Sequence, residues 1–221
     1  MENTITKKKS MSEQVYEQIK KMILHLEIKP GERIPEESIT DLVNCSRTPV
    51  REALRKLNEE GLVTLYPGRY SEVAYYNNDV VKKIGELRLS QDLLSCQLAI
   101  RNGSNFDFRI LKELAEMCEL NAKKGNIYER ISFDTKFHLQ IAKIGGNELL
   151  IHNQEKLYMK IHLIQISRYT NIEDSIEQIG KHKEIIESLY DRDYERIKKL
   201  VCLHLEEFYE IDQEIIDMYL S

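Results

Sequence analysis

Four ionisable residues stand where a helix would be expected to carry leucine. One apolar stripe of helical period runs Ile127, Ile131, Asp134, His138 and Ile141. A second runs Ile179, His182, Ile186 and Leu189, and a third Ile197, Val201, His204, Phe208 and Ile211. Each stripe should face a core, where an unpaired carboxylate would be several kcal/mol unfavourable. Asp134 and His138 are one helical turn apart and point the same way. One carboxylate and three imidazoles suit a divalent transition metal, zinc or nickel foremost. A five- or six-coordinate ion would keep positions open for a small carboxylate or hydroxy acid. Singly, each residue also reads as a satisfied core histidine or one half of a helical side-chain pair. Together the four suit a metal better than any one of them does singly.

A second chemistry lies nearer the front of the chain. Ser46 reads as a helix N-cap, Arg47 and Thr48 as the first turn, and Pro49 as a residue whose missing N–H costs little there. Glu52 favours the positive end of the helix dipole. Val50, Ala53, Leu54 and Leu57 mark a buried face, while Arg47, Arg51 and Arg55 recur every four residues on another. Such a rod suits the DNA major groove, where arginine pairs with guanine or holds phosphates. Leu62–Tyr66 and Ser71–Ala74 alternate like two strands around Pro67-Gly68-Arg69, a wing. Gly68 would let its backbone approach DNA closely, and Arg69 would reach a minor groove.

The elements that must position these residues follow from composition and punctuation. The 221 residues suffice for two small domains, and 42% are hydrophobic. The net charge of −5 looks wrong for a DNA binder until the chain is divided. Residues 1–75 carry 12 basic and 12 acidic residues, the remainder 20 and 25, so positive charge is local to the reading helix. Residues 4–10 read as a mobile lysine-rich arm. A helix through Val15, Ile19, Met22, Ile23 and Leu26 ends at Lys29-Pro30-Gly31, and Glu36–Val43 forms the first helix of a helix-turn-helix. Beyond Asp79 there is no proline, only helical periodicity, with helices expected over 79–101, 108–123, 127–143, 148–169, 175–190 and 194–219. The expected fold is mostly α. Residues 1–75 form a winged helix-turn-helix and 79–221 an all-α antiparallel helical bundle. No apolar run spans a bilayer or marks a signal peptide, so a cytoplasmic protein without membrane association is expected. The four cysteines show no paired spacing and read as reduced thiols.

The series Pro30-Gly31-Glu32, Glu36, Leu42, Ser46-Arg-Thr-Pro-Val-Arg-Glu-Ala-Leu-Arg55, Leu57 and Glu60-Gly61-Leu62-Val63 resembles the winged helix-turn-helix of GntR-family bacterial transcription regulators. Two positions depart from that pattern. Tyr70 stands where many members have glycine after the wing arginine. Glu37 stands where many have a basic residue, which removes a phosphate contact. Further on, Asp134-Thr-Lys-Phe-His138, Gly146-Asn147, His182 with Ile185-Ile186, Asp193 and His204 resemble the FCD effector domain of the FadR subfamily. That resemblance implies an all-α bundle, a metal-dependent pocket for organic acids and a dimer. It aligns Asp134, His138, His182 and His204 with metal-ligand positions. Glu86-Leu-Arg88 resembles the position that offers an arginine to the effector carboxylate, a role suited to a bidentate grip, and Gln91 is a further pocket candidate. A solvated Arg88, or one paired with Asp92, is the competing reading.

These observations lead to a ligand-responsive transcription regulator. As a homodimer it would set two reading helices on an inverted-repeat operator, with Arg47, Thr48, Arg51, Arg55, Gly68 and Arg69 at the DNA. A small carboxylate at the metal would control operator affinity. Two alternatives stay open: a metal-dependent hydrolytic enzyme fused to a DNA-binding domain, and a metal-free regulator whose histidines bind each other and water. Against the enzyme, no glutamate or histidine is clearly placed as a general base.

Overall fold

In the computed structural model the described residues are 9–169 and 172–221, so most of the expected lysine-rich arm lies outside them. The chain divides into two compact units, Met1–Tyr75 and Tyr76–Ser221. In the first, Ser10 and Glu13 form a capping box that starts α1 (Met11–Leu24). Val15, Ile19 and Ile23 bury that helix against α3 (Arg47–Glu59), as do Val50, Ala53, Leu54 and Leu57 from the other side. The short α2 (Glu36–Val43) ends at Asn44 in the left-handed region, φ 48°, a conformation asparagine tolerates better than most residues. Ser46 has the extended backbone of an N-cap, but its hydroxyl makes no capping hydrogen bond. The reason lies three residues on. Pro49 occupies the position whose N–H such a hydroxyl commonly accepts from, and proline has none.

Strands β1 (Val63–Tyr66) and β2 (Tyr70–Val73) pair antiparallel from Val63 opposite Val73 to Tyr66 opposite Tyr70. The second strand thus begins at Tyr70, one residue before the expected Ser71, and ends at Val73. The Tyr70 ring stacks beside Tyr66 at 4.6 Å and carries the Arg33 guanidinium 4.1 Å above it. Gly68 sits at φ +71° at the tip, where a turn needs the left-handed conformation.

The second unit is helical: α4 (Asn78–Asn102), α5 (Asn105–Lys123), α6 (Ile127–Gly145), α7 (Glu148–Arg168), α8 (Ile172–Asp191), α9 (Tyr194–Tyr209) and α10 (Gln213–Leu220). Helix α4 packs against α6, α7 and α9, and α5 packs against α6 and α8. The core between them includes Leu89, Phe108, Phe137, Tyr158, Leu189 and Leu205. The helix expected over 194–219 is two. Glu210 turns left-handed at φ 52°, and the chain leaves the helix so that Ile211 and Ile216 join the core. No glycine or proline announces this break; burial of two isoleucines stabilises it. Among the described residues no helix is long and apolar enough to cross a membrane.

Gly85 shows how closely α4 and α9 approach. A Cβ there would lie 2.3 Å from Tyr209 Cβ, the rigid root of that side chain rather than its tip. Gly85→Ala is therefore expected to destabilise the bundle by about 1–3 kcal/mol despite the better helix propensity of alanine. Denaturant unfolding checks this through a lower midpoint at unchanged slope.

Candidate metal centre and nucleic-acid interface

The helical phase of α6 carries Asp134 and His138 inward, and α8 and α9 bring His182 and His204 to meet them. All four side chains are buried, and one donor atom of each lies within 4.8 Å of the others. His204 Nε2 is 3.3 Å from His138 Nε2. His182 Nε2 is 3.2 Å from Asp134 Oδ1, and His138 Nε2 is 3.8 Å from the same oxygen. The four residues that the sequence grouped are thus together in space.

A second carboxylate orients this group. Asp92 of α4 is buried, and its Oδ2 lies 3.4 Å from His138 Nδ1. A proton held on Nδ1 by Asp92 leaves the Nε2 lone pair pointing at His204. Asp92 is itself fixed. Tyr158 Oη donates to it at 2.9 Å, Gln154 Nε2 at 2.9 Å and Arg88 Nε at 3.2 Å. Gln165 Nε2 donates to Asp134 Oδ2 at 3.5 Å from the opposite side.

Arg88 is fully buried, so the paired alternative holds and the solvated one does not. Its Nη1 donates to Tyr209 Oη at 3.1 Å, and its Nε is shared between Asp92 and Tyr158. Only Nη2 has no hydrogen-bond partner, and it lies 4.0 Å from Asp134 Oδ2. A single N–H nitrogen, rather than a two-pronged fork, is turned toward the cluster. Gln91, three residues along, is half-buried with its Oε1 unbonded.

The electrostatics favour ligand-ready protonation states. Burial pushes the Asp134 carboxyl up, but the His182 imidazole beside it, with His138 and Arg130, outweighs this and holds it well below its ordinary value. Burial lowers His138, and the charge of Arg88 lowers it further against the pull of Asp134, so that imidazole is neutral.

Whether these residues fit a metal can be tested on the donors themselves. Asp134 Oδ1 and both ring nitrogens of His182 are buried without a hydrogen-bond partner. Native cores leave few such atoms, and unmatched donors and acceptors that converge on one point are what a cation would satisfy. Two nitrogens bound tetrahedrally to one zinc lie about 3.3 Å apart, given bonds of about 2.0–2.1 Å. The spacing of His138 and His204 is close to this, and four buried donors gathered within 4.8 Å are a chemically suitable set for one divalent ion. A void of about 10 Å³ opens beside His138, between Asp92, Ser95, Cys96, Ile141, Ile185 and Val201, with room for roughly one water.

The sequence named Asp92 only as a possible partner of Arg88; the signal that could have found it is its place four residues past Arg88 on the buried face of α4 with Val81, Ile84, Ser95 and Ala99. Gln154, Tyr158 and Gln165 gave no such signal. Helix α7 buries residues nearly all round, so its inward polar residues do not interrupt a stripe.

In the first unit, Arg47, Thr48, Arg51, Arg55, Gly68 and Arg69 are all exposed. The four arginines and Gly68 line a concavity of about 610 Å³ between α3 and the wing, with Leu54, Leu65 and Tyr66. Arg47 is bridged to Glu37 there, Nη2 to Oε1 at 2.9 Å. A cationic helix beside a two-stranded ribbon is a groove-and-wing surface for duplex DNA.

The model of the gntR family of bacterial regulatory proteins matches residues 11–73, and that of the FCD domain matches residues 83–207. The chain belongs to the GntR family, with an FCD domain following its helix-turn-helix. It is a DNA-binding transcription regulator, and the fused-enzyme alternative is set aside. Among its relatives, the uncharacterized HTH-type transcriptional regulator YdhC of Bacillus subtilis (strain 168) is 29% identical over 192 residues, 86% of each chain. The HTH-type transcriptional repressor RspR of Escherichia coli (strain K12) is 22% identical over 219 residues, 97% of this chain and 94% of its own. The solved structure of E. coli McbR/YncC shares the fold, with a TM-score of 0.78 at 21% identity, covering 96% of this chain and 100% of that one.

Arg88→Ala would take the buried counter-charge from Asp92 and the donor from Tyr209 Oη, while Tyr158 and Gln154 still hold Asp92. The expected cost is about 3–5 kcal/mol, the range for breaking a buried pair by removing one partner. Chemical denaturation monitored by circular dichroism measures it.

Proposed function

We propose that this regulator binds an inverted-repeat operator as a homodimer, and that a small carboxylate at a metal site in the FCD unit controls its operator affinity. The observation that carries the metal is the convergence of four buried donors, two of them with atoms unmatched by any hydrogen bond. Asp134, His138, His182 and His204 would hold the ion, with zinc or nickel suited to this donor set. Such an ion would supply open positions for the oxygens of an organic acid. Arg88 would offer Nη2 to the same anion, with Gln91 as a further contact, and Asp92 would keep His138 in the tautomer that binds. The void beside His138 is far smaller than an organic acid, so the anion binds only as side chains and helices move apart. That displacement gives the two states different affinities for the effector, and by linkage for the operator. At the DNA, Arg47, Thr48, Arg51 and Arg55 would meet the major groove, and Gly68 and Arg69 the wing contact.

The test is metal analysis of protein purified without a histidine tag, followed by melting with and without chelator. About one divalent ion per chain is expected, and re-addition at 100 times its dissociation constant should restore about 2.7 kcal/mol of stability. Protein that holds no metal and melts unchanged on titration with zinc or nickel would favour the metal-free regulator. Asp92→Asn should weaken metal binding roughly 10- to 100-fold while leaving the four donors in place, as isothermal titration would reveal. Arg51→Ala should lower operator affinity and flatten its salt dependence; an unchanged slope would remove Arg51 from the groove.

A further inference from the structure

Among the charged side chains that line the concavity between α3 and the wing, one has the wrong sign for a polyanion without an evident structural duty. Glu36, the other acid there, is half-buried and accepts from Ser71 Oγ at 3.2 Å, which ties α2 to the wing. Glu37 is exposed, and the one described partner of its carboxylate is Arg47 at 2.9 Å, itself the first residue of the reading helix. Exposed ion pairs contribute little to stability, and an acid in the first turn of α2 adds only modestly through the helix dipole, a place Glu36 beside it also fills. Facing phosphates it would only repel, lowering affinity for every sequence alike.

Base edges offer what phosphates do not. In the major groove a carboxylate accepts from the N4 amino group of cytosine, while arginine donates to O6 and N7 of guanine. We propose that Glu37 is a specificity-determining residue that reads a cytosine in each operator half-site, side by side with Arg47 on a neighbouring guanine. In the complex, each side chain exchanges part of its contact with the other for a base edge. The carboxylate repels duplexes without the cytosine, which is discrimination by penalty as well as by contact.

The experiment is selection of the full-length protein against a duplex DNA library with a randomised segment, by gel shift and sequencing, then anisotropy titration of the selected duplex. The wild type should select cytosine at one position per half-site. Replacing that C·G pair should weaken binding roughly 5- to 150-fold, the range for one good base contact. Glu37→Gln, whose carboxamide suits adenine N6 and N7, should shift the preference there to adenine and leave the other positions unchanged. Glu37→Ala should abolish the preference and steepen the salt dependence on unrelated duplexes. If both variants select the wild-type sequence and merely bind every duplex more tightly, Glu37 is a charge brake and the proposal fails. It fails equally if the wild type selects no cytosine.

Discussion

A carboxylate in an apolar core is the constraint around which the C-terminal unit is arranged. Asp134 sits where the α6 stripe calls for an aliphatic side chain, and its ionised form survives there because imidazole and guanidinium groups surround it. Among the described residues the buried arginines Arg88 and Arg130 face the buried carboxyls Asp92 and Asp134, and burial pushes the Asp92 carboxyl up against the pull of Arg88. His138 and His204 can share one proton across 3.3 Å, whereas a shared cation would engage the inward donors of all four residues at once. The same logic explains the surrounding tyrosines and glutamines: Tyr158 and Gln154 hold Asp92, Tyr209 holds Arg88, and Gln165 holds Asp134.

The N-terminal unit meets a different requirement. Its charges sum to zero over residues 1–75, yet the arginines gather on one side of α3 and at the wing tip. A surface of this kind concentrates positive charge on the face proposed for DNA. The energy of nonspecific attraction is thereby kept low, and sequence reading falls to a few side chains on a rigid helix. Tyr70 fits the same economy: in place of glycine it stiffens the ribbon by stacking on Tyr66 beneath Arg33.

Much of this was legible in the order of residues, for reasons that differ by element. The reading helix and the wing were plain because strict periodicity runs between Pro49, Gly61 and Gly68, residues with sharp conformational preferences. The break after α9 was not, since Glu210 carries no such preference and adopts the left-handed region only because the core takes Ile211 and Ile216. The idle hydroxyl of Ser46 needed attention to Pro49 rather than to the cap alone. Asp92 lay on a readable stripe, while Gln154 and Tyr158 were hidden in a helix buried on most sides.

From one strand of text, the kinds of donors and the faces they occupy within each helix were already determined, because a 3.6-residue period links spacing directly to direction. Whether those faces meet is another matter. His138 and His204 are 66 positions apart, and their approach to 3.3 Å depends on how α6 and α9 pack. The neutral state of His138, the single unbonded nitrogen of Arg88 and the pairing of Glu37 with Arg47 likewise arise from neighbours brought in by folding. Helical phase is local and additive along the chain; convergence is a property of packing, and only tertiary structure decides it.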